Sequence, residues 1–133
     1  MRSFLFAALA VIVTGQAVQA DQWDALRADD GLQEALVQYS MGRRIYKRCD
    51  EISARRLRVL SYINGLIDRA EALGYSRSEV NAYISDEAEQ DRITAIADAR
   101  LAERGASPEE WDGYCTVGRE EIAVGSTIGR LLR

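Results

Sequence analysis

Histidine is absent from this chain of 133 residues, proline occurs once and cysteine twice. Without histidine the commonest general base and the commonest zinc ligand are both missing. His-dependent hydrolase and metalloprotease chemistry are excluded with them. Lysine is almost absent as well, because Lys47 is the only one and stands among arginines. A serine nucleophile would have to rely on a Ser–Lys pair, and no such arrangement is legible. The expectation is a protein that is not an enzyme and that carries no cofactor and no metal. The chemical alternative is a hydrolase with a carboxylate site built on Glu120 and Glu121.

Long hydrophobic runs are lacking too. The longest, Phe4 to Val13, spans ten residues, about half of what a bilayer-crossing helix needs. Arg2 precedes it and small residues follow to Ala20, which is the layout of a secretory signal peptide over residues 1–20. Cleavage near Ala20, or at Ala17, would leave a periplasmic or secreted product without a membrane span. No cysteine follows the run, so there is no thiol for a lipid anchor. Loss of Arg2 moves the net charge from −4 to −5. An acidic chain is a poor ligand for nucleic acid or an anionic membrane surface.

The two cysteines, Cys49 and Cys115, read as one disulfide in an exported protein. There is no C-x-x-C spacing to suggest redox chemistry. The bond would close a loop of 67 residues, worth about 4 kcal/mol in the chain-entropy description.

Helical punctuation is clear along the rest of the chain. Residues 21–30 are polar and read as a flexible N-terminal arm, in which Trp23 and Leu26 could dock one turn of helix. A single helical domain over 31–133 follows. Its first helix runs from Gly31 to Arg48, with Leu32, Leu36, Tyr39, Ile45, Tyr46 and Cys49 at near-helical spacing. A second spans Ser53 to Leu73, with Leu57, Leu60, Ile63, Ile67 and Ala70 on one stripe and Gly74 as its stop. Ser76 with Glu79 forms a capping box for a third, and Ser85-Asp86 breaks the chain before a fourth over Glu87–Arg104. Ser107-Pro108-Glu109-Glu110 marks the start of a last helix running nearly to Arg133. Nothing alternates with a two-residue period. The expected fold is all-α, a compact bundle of four to five helices whose first and last members are joined by the disulfide.

Charge is polarised between the halves. Residues 43–78 sum to +5 and residues 79–133 to −6. Arg43, Arg44, Lys47, Arg48, Arg55, Arg56 and Arg58 cluster around the corner between the first two helices, and with Arg119, Glu120 and Glu121 they are the candidate partner-binding residues. They either pair with acidic helices inside the domain or receive an acidic protein. Gly118, Gly125 and Gly129 fall on or beside one face of the last helix, where small residues allow close helix packing, inside the domain or against a partner. The carboxylates Asp86, Glu87, Glu89 and Asp91 suit a solvated helix start.

The run Tyr114-Cys115-x-x-Gly118-Arg119-Glu120-Glu121-Ile122-Ala123, together with Cys49, Gly74-Tyr75-Ser76 and Ile128-Gly129-x-Leu131-Leu132, resembles a family of small secreted proteins of Rhodobacter-like alphaproteobacteria classed as a domain of unknown function. The resemblance covers about Leu32 to Arg133. It implies an exported domain with paired cysteines and transfers no catalytic residue. It also implies an association with the respiratory chain, through genes of NADH dehydrogenase. In outline alone the chain is similar to HdeA-type acid chaperones and to immunity proteins of type VI secretion. The leading functional expectation is a non-enzymatic protein-binding or accessory module of the periplasm, of unknown oligomeric state. An acid-activated chaperone is the alternative.

Overall fold

Stop and start signals in the sequence set most of the helix ends. The computed structural model describes residues 21–133, so the signal peptide expected over 1–20 lies outside the described residues. Among the described residues seven helices follow one another: α1 (Asp24–Ala28), α2 (Asp30–Arg48), α3 (Arg56–Ala72), α4 (Arg77–Ser85), α5 (Glu87–Glu103), α6 (Asp112–Val124) and α7 (Thr127–Leu131). The all-α expectation holds, whereas the number of helices exceeds the four to five expected. One excess helix comes from the N-terminal arm and another from a break near the C-terminus.

Residues 21–30 are not a free arm. The side chain of Asp29 caps α2 by accepting from the Leu32 amide at 2.7 Å, one residue before the expected start. The short α1 then lies against the domain, with Trp23 and Leu26 buried. Hydrophobic burial of two such side chains outweighs the polarity of the segment around them.

Between α2 and α3 the chain is extended where helix was expected from Ser53. Ala54 pairs antiparallel with Leu132, and the amides of Ser53 and Arg133 donate to each other's carbonyls at 2.8 and 2.9 Å. Backbone groups that would have opened a helix are satisfied by the C-terminal residues instead. The expected α3 stripe is therefore buried only in its second half. Ile67 and Ala70 are in the core, while Leu57 and Leu60 at the corner are exposed.

The capping box at Ser76 and Glu79 forms as read, with both reciprocal bonds present. Asp86 then ends α4 and caps α5 through the Glu89 amide. The Ser107-Pro108 signal gives only a turn. Ser107 does accept from the Glu110 amide at 3.2 Å, but the helix proper waits until Asp112. Gly113 explains the delay. A Cβ there would stand 1.7 Å from the Gly105 carbonyl oxygen, so the first turn of α6 is pressed against the backbone that follows α5. The last helix is also not continuous to Arg133. Gly125 takes φ of 64° and closes α6 in the left-handed conformation, and Ser126 caps α7 by accepting from the Gly129 amide.

Two hydrophobic clusters hold these helices, with α2 as the hub between them. The larger joins Val37, Met41 and Ile45 of α2 to Ile93, Ala97 and Leu101 of α5, Tyr114 and Val117 of α6, and Ile128 and Leu132. The smaller gathers Trp23, Leu26, Leu32, Ile67, Ala70, Val80 and Tyr83. Burial on two sides is why the α2 stripe follows Val37, Met41 and Ile45 and leaves Tyr46 exposed. Gly118 and Gly129 are internal packing positions. A Cβ at Gly118 would meet Ile45 and Ile52, and one at Gly129 would meet the backbone of Glu121.

Cys49 and Cys115 are disulfide-bonded, with Cα atoms 5.1 Å apart. The bond joins the C-terminal cap of α2 to α6. It does not link the first helix of the chain to the last, because α1 and α7 lie outside the pair.

Candidate functional site

The ten charged residues singled out in the sequence separate into two groups. Six are committed within the domain. Arg44 pairs with Asp98 at 2.8 Å. Arg48 lies over the rings of Trp111 and Tyr114, 5.3 and 5.1 Å from their centroids, and donates to the Tyr114 hydroxyl. Arg55 donates through Nε to the Leu132 carbonyl at 2.8 Å and so helps fix the C-terminal residues. Arg119 pairs with Glu51, and Arg104 holds both Glu120 and Glu121. Those two carboxylates thus clamp α6 to the end of α5, and Glu121 also accepts from the Ser126 hydroxyl.

Arg43, Lys47 and Arg56 make no ion pair or side-chain hydrogen bond among the described residues, and Arg58 reaches only the Arg130 carbonyl at 3.4 Å. Lys47 and Arg56 flank the α2–α3 connection. Exposed apolar side chains stand on the same two helix ends, with Tyr46 at 45%, Leu60 at 56% and Leu57 at 84% exposure. Large exposed apolar groups beside uncommitted cations are the composition of a contact surface.

A second feature was not read from the sequence. A cleft of about 380 Å³ opens between α2, α3, α4 and α5. The spacing places Leu32, Leu36, Tyr39, Ile63, Ile67 and Ala70 of its lining on apolar stripes, and periodicity alone does not reveal where facing helices fail to meet. Glu89 lines part of it. This residue was expected on a solvated helix start, yet it is 6% exposed. Arg27 of α1 binds its Oε1 at 2.6 Å and Arg92 binds its Oε2 at 3.0 Å. Burial alone would raise its pKa, but the hydrogen bonds from Arg27 and Arg92 outweigh that and hold the carboxyl below its usual range. Gln33 ties the cluster together, accepting from Arg92 and donating to the Leu26 carbonyl and the Tyr83 hydroxyl. The signal that could have found Glu89 is its register, one helical turn before Ile93.

Metal-type side chains come together among the described residues at Cys49, Glu51 and Cys115. The two sulfurs there are bonded to each other and so offer no thiolate. No described helix is long and apolar enough to cross a membrane.

No curated protein and no solved structure matches the chain. The profile of a family of unknown function does match, over residues 24–133, a span that takes in α1 and the buried Glu89 network as well as the disulfide. The chain is a member of that family of unknown function, DUF5333.

Proposed function

We propose that the chain is an exported, non-catalytic binding module that receives an acidic protein at the α2–α3 corner. The observation that carries this reading is the conjunction of Tyr46, Leu57 and Leu60, all exposed, with Lys47 and Arg56, both without a counter-charge among the described residues. Apolar anchors supply the contact area and the cations supply steering and register. Export rests on the layout of residues 1–20, and the disulfide suits an oxidising compartment.

A photo-crosslinking residue at Leu57, compared with one at the exposed Glu103 of α5, tests the reading in the living cell. The expected result is a discrete heavier adduct from position 57, absent from position 103 and abolished when Lys47 and Arg56 are both changed to Glu, on a protein whose mature mass begins at Asp21. No adduct at position 57, the same adducts at both positions, or an uncleaved product would overturn it.

The acid-chaperone alternative has one observation in its favour. The buried carboxylate of Glu89 holds α1 against the domain through Arg27, so acid would loosen the contact that keeps Trp23 and Leu26 covered. Protection of a client protein from aggregation at about pH 3 is the measurement specific to it.

A further inference from the structure

The lining of the cleft between α2, α3, α4 and α5 includes none of Tyr46, Lys47, Arg56, Leu57 and Leu60, and its volume of about 380 Å³ falls in the range of small-molecule sites. Its walls are largely hydrocarbon, supplied by Leu36, Ile63, Leu66, Val80, Ile84 and Ile93 among others. Along α2 the lining extends from Leu32 to Arg43, a length of about 16 Å at the helical rise. The polar end of that wall carries Tyr39, Ser40 and Arg43.

None of those three makes a side-chain hydrogen bond or ion pair among the described residues, although the next residue, Arg44, is bound to Asp98. Arg43 is exposed at the rim, and Tyr39 and Ser40 are half-buried. The carboxylate in the lining, Glu89, is already held by Arg27 and Arg92 and so supplies no free counter-charge. A long apolar slot ending in an uncommitted guanidinium and two hydroxyls is complementary to a hydrocarbon chain ending in an anion. A guanidinium meets a carboxylate through two parallel N–H donors.

We propose that the cleft binds a straight-chain monocarboxylate of roughly ten to twelve carbons, matched to the length of the α2 wall. The chain lies against the apolar helix faces. The carboxylate accepts from Arg43, with the hydroxyls of Tyr39 and Ser40 as further donors.

Displacement of a dansyl-undecanoate probe from the purified protein tests the assignment, with dodecanoate, dodecanol and dodecyltrimethylammonium as competitors. Dodecanoate is expected to displace the probe at micromolar concentration, with the alcohol and the ammonium at least tenfold weaker. Arg43→Gln should weaken dodecanoate tenfold or more while leaving dodecanol unmoved, and Arg77→Gln, a change on α4 outside the lining, should alter neither. Ile63→Trp, which fills the slot, should abolish binding of both. Melting temperatures of the variants within a few degrees of the parent establish that each one folds. The proposal is overturned if dodecanoate does not displace the probe, if charge makes no difference among the three competitors, or if folded Arg43→Gln binds dodecanoate as the parent does.

Discussion

Reducing the disulfide between Cys49 and Cys115 should lower the melting temperature by roughly 15 °C, the equivalent of about 4 kcal/mol for a chain of this size. The bond spans 66 positions of sequence, so it removes a large share of the unfolded chain's freedom and leaves native contacts almost untouched. Cys49 is buried in the larger cluster, which makes Cys49→Ala with Cys115→Ala the cleaner variant, since alanine leaves no buried hydroxyl. Thermal melts of the oxidised protein, the reduced protein and the double variant provide the measurement. The urea dependence adds an independent readout. An unfolded chain released from its ring exposes more surface, so the slope of stability against urea should steepen on reduction. A reduced protein melting within a few degrees of the oxidised one would show that α2 and α6 hold each other without the bond.

Replacing Glu89 by Gln should cost about 2–3 kcal/mol at neutral pH, because two charge-assisted contacts to a buried carboxylate are lost. The amide that replaces one oxygen is itself a donor and points at guanidinium groups that can only donate. The pH dependence has a definite sign. The carboxyl of Glu89 lies below its ordinary value of 4.5 in the folded protein, so its stabilisation is fully present above that pH and is lost as pH falls through the folded value. The stability gap between the parent and Glu89→Gln should therefore narrow below about pH 4.5 and close in stronger acid. Asp29, Glu34 and Glu79 shift in the same direction through hydrogen bonds from the Leu32 amide, Arg100 and the Ser76 amide respectively, and they contribute to acid lability in both proteins. Fluorescence reports the event locally. Trp23 is 7% exposed and Trp111 is 52% exposed, so a red shift in acid records the departure of α1. If the gap stays constant with pH, Glu89 is not the residue that titrates.

Local rules made some of this molecule readable in advance. Ser76 with Glu79, Asp86 and Gly74 act through bonds and torsions within a few residues, and Gly74 takes a positive φ. The cysteine pair was readable for a similar reason, since two cysteines allow one connection. The misreadings arose where a distant segment won. Ser53 gave up helix for pairing with Arg133, and Gly113 delayed α6 because it meets Gly105 across the turn. Glu89 was read from its place in an acidic helix start, and no local rule says that Arg27, 62 positions away, will cover it. The basic corner was visible as a run of charges, but separating committed Arg44, Arg48 and Arg55 from uncommitted Lys47 and Arg56 required their partners' positions. The cleft is the extreme case, because it is defined by the gap that four helix faces leave between them.

The division of the interior into two clusters carries a thermodynamic consequence. Among the described residues only the partly buried Leu36 packs against both, and none of α3 or α4 belongs to the larger one. The α3–α4 pair can therefore swing outward at a free energy below that of global unfolding, while α2, α5 and α6 stay clamped by their own cluster and the covalent ring. Such an excursion would change the width of the cleft. Any molecule that fills the closed form draws the equilibrium toward it. Amide exchange in α3 and α4 and occupancy of the cleft are then two readings of one quantity.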